Sequence, residues 1–242
     1  MKKSLYIITG CSKGLGKALT ELWVQNPENH VVGISRSEME DMENFVHIRI
    51  DLGNIDSLID SLDRIFPTGE FENIVMINNA GWIGEIAPMG KLDPKGIQAI
   101  HSINVIAPAI LMNEFVKQYA ASKAERMVIN ISSGAANSAI DGWSGYSSSK
   151  AALNQLSLVA EEESKLKGLG IKYYALSPGI IDTNMQKDIR SSSPENFSNR
   201  DKFLSYKKNG DLSSPEETAV KIHYLIENYS NFEEVVQDVR AY

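Results

Sequence analysis

At 242 residues, with 43% apolar and 23% charged side chains, the chain has the balance of a soluble globular protein with a substantial core, which excludes a disordered or fibrous chain. A formal charge of -7 disfavours broad contact with nucleic acid or an anionic membrane, yet leaves room for a local basic site for a phosphorylated ligand. Cys11 is the only cysteine, so no internal disulfide forms and a reducing cytoplasm fits.

In chain order, "MKKSLYIITG" holds an apolar run too short for a signal-peptide core and reads as a first strand over 4–9. A helix is predicted over about 14–26, then strands over 30–35 and 45–50, and a second helix over 54–66. The strand at 73–77 leads to a long helix at 94–120, a strand at 126–132, a helix at 146–168 and a strand at 171–176. The last helix, 215–228, opens on "SSPEE", where Ser214 can cap and Pro215 can occupy the first turn; a weaker strand lies near 234–239. No apolar stretch reaches the ~20 residues needed to cross a bilayer. Alternating strands and helices, with no linker or internal repeat, predict one α/β domain over 1–242: a doubly wound, Rossmann-type, mostly parallel seven-stranded sheet with helices on both faces. The serine-rich stretch 186–203 is either a substrate lid or a plain surface excursion.

"YIITGCSKGLGKAL" runs from a strand through glycines into a helix, the order that builds an anion site from free N–H groups and the helix dipole. A Walker loop would need a second glycine where Leu15 stands, which excludes that route to ATP. The spacing Gly10, Gly14, Gly16 also departs from G-x-G-x-x-G, and this T-G-x-x-x-G-x-G variant resembles the short-chain dehydrogenase/reductase family. That resemblance puts Gly10, Ser12, Lys13, Gly14, Leu15 and Gly16 around a dinucleotide. After the second strand come Ser35 and Arg36, with no carboxylate there to repel a 2′-phosphate; Arg36 offers a planar fork of donors and Lys13 a second charge, so NADP(H) is the expected cofactor. Asp51 and Leu52 follow the third strand, where the family contacts adenine; Asp51 reads equally as a turn cap. "INNAGW" resembles the family's Asn-Asn-Ala-Gly motif, in which Asn79, Ala80 and Gly81 support the cofactor site.

In "GYSSSK", Tyr146 and Lys150 lie one helical turn apart, ~6 Å along the axis, and can face one ligand. A free phenol, with a pKa near ~10, exchanges protons poorly at neutral pH; a nearby ammonium is expected to lower it and make Tyr146 a usable acid and base. Such pairs arise by chance, but here the neighbours also match. Ser133 has the offset of the family's catalytic serine, with Ser132 as the bystander. Asn104 matches the residue that completes a water-mediated proton route to the lysine, and on its own reads as a buried structural amide. "LSPGIIDTNM" resembles the segment beside the nicotinamide, bringing in Pro178, Gly179, Ile181 and Thr183, the last placed to bond the carboxamide.

The resemblance therefore implies an NADPH-dependent oxidoreductase that reduces a small carbonyl substrate and assembles as a homodimer or homotetramer. Within the family, "NISSGA" with the following Trp143, Tyr146 and Lys150, "PGIIDTNMQ" and "LSSPEETA" are particularly similar to the branches that reduce benzil and sepiapterin, which points to one carbonyl of a 1,2-dicarbonyl compound. Trp143, Met185 and Gln186, with Ser133 and Tyr146, are the candidate substrate contacts, though Trp143 reads equally as core or subunit contact. Asp238 lies near the pterin anchor of sepiapterin reductases and reads otherwise as a terminal surface carboxylate. A pteridine reductase and a non-catalytic NADP-sensing protein are the alternatives; sensing proteins commonly lose the tyrosine or lysine that this chain keeps. No metal site is expected.

Overall fold

The computed structural model describes residues 3–242. The strands are β1 (Ser4–Thr9), β2 (His30–Ser35), β3 (Phe45–Arg49), β4 (Asn73–Asn78), β5 (Glu125–Ile131), β6 (Ile171–Ser177) and β7 (Val236–Asp238). Between them run α1 (Gly14–Val24), α2 (Ile55–Ile59), α3 (Leu62–Ile65), α4 (Pro94–His101), α5 (Ala107–Tyr119), α6 (Ser144–Lys167), α7 (Asn184–Arg190), α8 (Arg200–Asn209) and α9 (Pro215–Glu227).

The strands form one parallel sheet in the order β3-β2-β1-β4-β5-β6-β7. The central strands are buried on both faces, which is why they are continuous apolar runs. Alternation sends Tyr6, Ile8, Val75 and Ile77 into a core with α1 and α9, and Leu5, Ile7, Ile74 and Met76 into a second core with α5 on the opposite face. The chain winds outward from β1 to β3 and then crosses back to β4. The carboxyl ends of β1 and β4 therefore flank a crevice, the switch point where open α/β sheets bind ligands.

Three predicted elements differ in form. The helix at 94–120 is interrupted by a π-helical turn, Ser102–Ile106, in which the Ala107 N–H reaches back to the Ser102 carbonyl. Pro108 supplies the reason: it has no N–H to close the regular bond onto the Asn104 carbonyl. The helix at 54–66 divides into α2 and α3, where the Ser61 hydroxyl donates to the Ser57 carbonyl at 2.8 Å. The excursion at 186–203 contains the end of α7 and the start of α8, two helices whose polar composition hides them from periodicity; α8 buries no residue completely and is closed by Gly210 at φ +76°. Within Pro94–Tyr119 an 18-residue window is apolar enough to cross a membrane by length and composition alone, but 50% of that window is buried within the fold, as for a core helix.

Candidate active site

A cleft of about 1420 Å³ opens over the carboxyl ends of the strands. All the candidate site residues named from the sequence line it, apart from Gly16, Asn104 and Asp238. Its floor is the glycine turn. Gly10 takes φ +74° and Gly14 φ +52°, which other residues rarely adopt. A Cβ on Gly16 would lie 2.2 Å from the Gly10 carbonyl oxygen and 2.5 Å from Asn79 Nδ2. Gly16 thus lets the first turn of α1 close onto the loop. Gly16→Ala is expected to cost about 1–3 kcal/mol of stability and weaken dinucleotide binding at least about tenfold, whereas Gly134→Ala, with nothing within 4 Å, should change neither; thermal melts and a fluorescence titration with NADPH read both.

The loop after β4 is tied to this turn through Thr9, which the sequence reading passed over. The Thr9 hydroxyl accepts from the Asn79 and Ala80 N–H groups, both at 3.0 Å, and Asn79 Nδ2 donates to the Thr9 carbonyl at 2.9 Å. Gly81 leaves room for a neighbour: a Cβ there would meet Lys150 Nζ at 3.4 Å. Asp51 lines the cleft and also holds its own turn, accepting from the Gly53 N–H at 3.0 Å.

In the deepest corner, Tyr146 is 7% and Lys150 3% exposed. Lys150 Nζ donates to the Ile131 carbonyl at 2.7 Å and lies 5.8 Å from the centre of the Tyr146 ring. Burial lowers the Lys150 ammonium to about 8. Burial also raises the Tyr146 phenol, and the nearby Ser133 hydroxyl opposes that rise. The phenol therefore differs from the expectation that the ammonium would lower it, because desolvation outweighs a cation that is itself destabilised. Ser133 Oγ accepts from the Ala135 N–H at 3.1 Å, leaving its own hydrogen free toward the cleft. Ser132 is turned into the core, where its hydroxyl donates to Asn154 Oδ1.

Asn104 is fully buried behind this corner. Its Oδ1 accepts from the Trp82 N–H and its Nδ2 donates to the Trp82 carbonyl, both at 2.9 Å; Nδ2 also reaches Ser149 Oγ at 3.0 Å. Its side chain is thus fully engaged as a clamp, while Pro108 leaves its main-chain carbonyl without the regular helical donor. Ser149 in turn donates to the Tyr146 carbonyl at 2.7 Å, fixing the start of α6.

Above the tyrosine, Trp143 packs edge-on at 5.6 Å between ring centres, and Phe197 stacks on the indole at 5.2 Å. Phe197 is fully buried and Phe203 of α8 adds a third ring at 5.5 Å from Trp143. Ser198 is held by Asp141 through its N–H and hydroxyl, both at 2.8 Å. Met185 packs against this aromatic group, and Gln186 is buried beside it with Oε1 unpartnered. The phenylalanines were missed because nothing local in "NFSNRDKF" announces burial. Pro178, Gly179, Ile181 and Thr183 form the opposite lip, where a Cβ on Gly14 would touch Thr183 Cγ2 at 3.1 Å. The Asp238 carboxylate is engaged by Arg240, through its N–H and its guanidinium, and that contact holds it below the usual carboxylate range.

The glycine cradle, the cations Lys13 and Arg36, which form no ion pair among the described residues, and a buried Tyr–Lys–Ser corner fit a nicotinamide dinucleotide across the switch point. Comparison with known proteins points the same way. The family model for short chain dehydrogenase matches residues 4–194. Benzil reductase ((S)-benzoin forming) of Bacillus cereus is 34% identical over 232 residues, 91% of this chain and 93% of that protein. Sepiapterin reductase of Bos taurus is 26% identical over 93% of this chain and 90% of its own length. Among solved structures, KRED1-Pglu superposes with a TM-score of 0.77 at 26% identity, covering 93% of this chain and 95% of that one.

Proposed function

Because the chain belongs to the short-chain dehydrogenase/reductase family, and so is an oxidoreductase acting on CH–OH and C=O groups with a nicotinamide cofactor, we propose that it is an NADPH-dependent carbonyl reductase of 1,2-dicarbonyl compounds of the benzil type. The observation that carries this reading is the buried corner in which Tyr146, Lys150 and the free hydroxyl of Ser133 meet beneath an aromatic wall.

Gly10, Ser12, Lys13, Gly14, Leu15 and Gly16 hold the cofactor's diphosphate, Arg36 with Lys13 its 2′-phosphate, and Pro178, Gly179, Ile181 and Thr183 its nicotinamide end. Ser35, Asp51, Leu52, Asn79, Ala80 and Gly81 shape the adenosine side and the floor. When bound, this group supplies a hydride. Ser133 and Tyr146 orient the substrate oxygen, and Tyr146 gives its proton to the developing alkoxide as general acid. A phenol kept protonated by burial suits that role. Lys150 sets the electrostatics of the phenol and binds the nicotinamide ribose, and the open main-chain carbonyl of Asn104 serves the proton route from solvent. Trp143 and Met185 with Phe203, the indole backed by Phe197, offer an apolar wall to a diaryl substrate, and Gln186 adds a polar contact beside it. The stretch 186–203 acts as a lid, held at Phe197 and Ser198.

A pteridine substrate is the second reading, but the Asp238 carboxylate that would anchor it is already bound by Arg240. A homodimer or homotetramer fits the exposed Leu158, Val159 and Ile106 on the long helices. The deciding experiment is NADPH and NADH oxidation with benzil, sepiapterin and benzaldehyde side by side. Benzil with NADPH should give the highest kcat/KM, at least about tenfold above the other combinations, a margin of ~1.4 kcal/mol. Equal rates on all three would replace the reading with a general carbonyl reductase.

A further inference from the structure

The turn after β2 carries one cation more than the motif comparison assigns. In the parallel register of β2 and β3, Ser35 pairs with Arg49, the last residue of the edge strand. Arg49 Nε donates to the Arg36 carbonyl at 3.2 Å, which sets the two guanidinium-bearing residues side by side. Ser35 donates its single hydroxyl hydrogen to the Ser37 carbonyl at 2.8 Å, so His47, 2.9 Å away, must present an Nε2–H to the same oxygen. Ser35 is thereby committed to the shape of the turn and has no hydrogen left for a ligand.

Among the described residues, no carboxylate lies within ion-pair distance of Lys13, Arg36 or Arg49. The Asp41 carboxylate accepts from the His47 main-chain N–H at 2.7 Å, and Asp41 and Glu38 both act on the His47 ring. Arg36 and Ser37 line the cleft, and Arg49 is exposed at the sheet edge with its Nε on the Arg36 carbonyl. Two arginines joined at the edge of the cleft by this bond, neither in an ion pair among the described residues, can take a dianion. We propose that Arg49 is a second guanidinium for the adenosine 2′-phosphate, gripping it beside Arg36 from the edge strand and setting the preference for NADPH over NADH. The proposal rests on the NADPH reading above and adds a specificity-determining residue to it.

Calorimetric titration of the full-length protein with 2′,5′-ADP and with 5′-ADP tests it without any turnover. The wild type should bind 2′,5′-ADP at least about thirtyfold tighter than 5′-ADP, a gap of ~2 kcal/mol. Arg49→Gln should weaken 2′,5′-ADP about tenfold and leave 5′-ADP within about twofold; Arg49→Lys, which keeps the charge, should recover about half of that loss on a logarithmic scale. If Arg49→Gln leaves 2′,5′-ADP binding unchanged, or weakens both nucleotides equally, Arg49 only braces the turn and the proposal falls. A wild type that does not distinguish the two nucleotides would instead overturn the NADPH reading itself, and the assignment of Arg49 with it.

Discussion

Tyr146→Phe is expected to lower kcat for NADPH-dependent carbonyl reduction by about 10³, within the ~10²–10⁴ range of a lost general acid. NADPH affinity should stay within about threefold of wild type, since uniform binding is not what the phenol supplies. The argument is geometric. The ring is 7% exposed and packs edge-on against Trp143 at 5.6 Å, contacts that a phenylalanine ring reproduces. Only the O–H is removed, and with it the proton for the forming alkoxide. Ser133 cannot substitute, because a hydroxyl held on the Ala135 N–H can donate a hydrogen bond but is far too weak an acid to give up its proton. Stopped-flow measurement at saturating substrate isolates the chemical step. Turnover near the wild-type rate, with cofactor binding intact, would remove Tyr146 from the chemistry.

Lys150→Met should reduce kcat by about 10² and at the same time stabilise the protein at neutral pH, a trade-off found where function requires a strained group. Burial takes this ammonium from 10.5 down to about 8, which at ~1.4 kcal/mol per pH unit is a cost of about 3 kcal/mol. In the native state the proton is held less tightly than in the unfolded chain. The cost is therefore complete below pH 8, falls as pH rises from 8 to 10.5 and is gone above that. Methionine removes the buried charge but leaves the Ile131 carbonyl without its donor, which returns about 1–2 kcal/mol. The net gain at pH 7 should be about 1–2 kcal/mol, reversing to a loss of about 1 kcal/mol above pH 10.5, where the wild-type amine is neutral and keeps its hydrogen bond. Denaturant melts of the two proteins across pH 7 to 11 decide the matter; a variant less stable at every pH would show that Lys150 is not a buried charge under strain.

The comparison of Tyr146 with Lys150 shows where reading the sequence is strong. Residues four apart on a helix share a face whatever surrounds them, so "GYSSSK" was legible as a pair before any fold was known. The glycine turn is legible for the same reason: positive φ at Gly10 and Gly14 and the close approach at Gly16 are local demands written as glycine. The strands β1, β2, β4, β5 and β6 stand out because burial on both faces makes each a continuous apolar run. Helices α7 and α8 were not, since their exposed surfaces carry no apolar period. The direction of the Tyr146 shift was also misjudged: spacing reveals a neighbouring charge, but desolvation depends on how deeply the fold buries both groups.

The parallel α/β architecture, the glycine turn and the Tyr146–Lys150 pair are readable without a fold, because each follows from chemistry within a few residues or from periodicity along one element, whereas Ser133 enters only through the family resemblance. Only the tertiary structure decided that Phe197 stacks on Trp143, that Arg49 donates to the Arg36 carbonyl and that the Asn104 side chain clamps the Trp82 backbone. Those contacts join distant segments through strand register and helix packing, and the energy that selects them belongs to the assembled core rather than to any one stretch of chain.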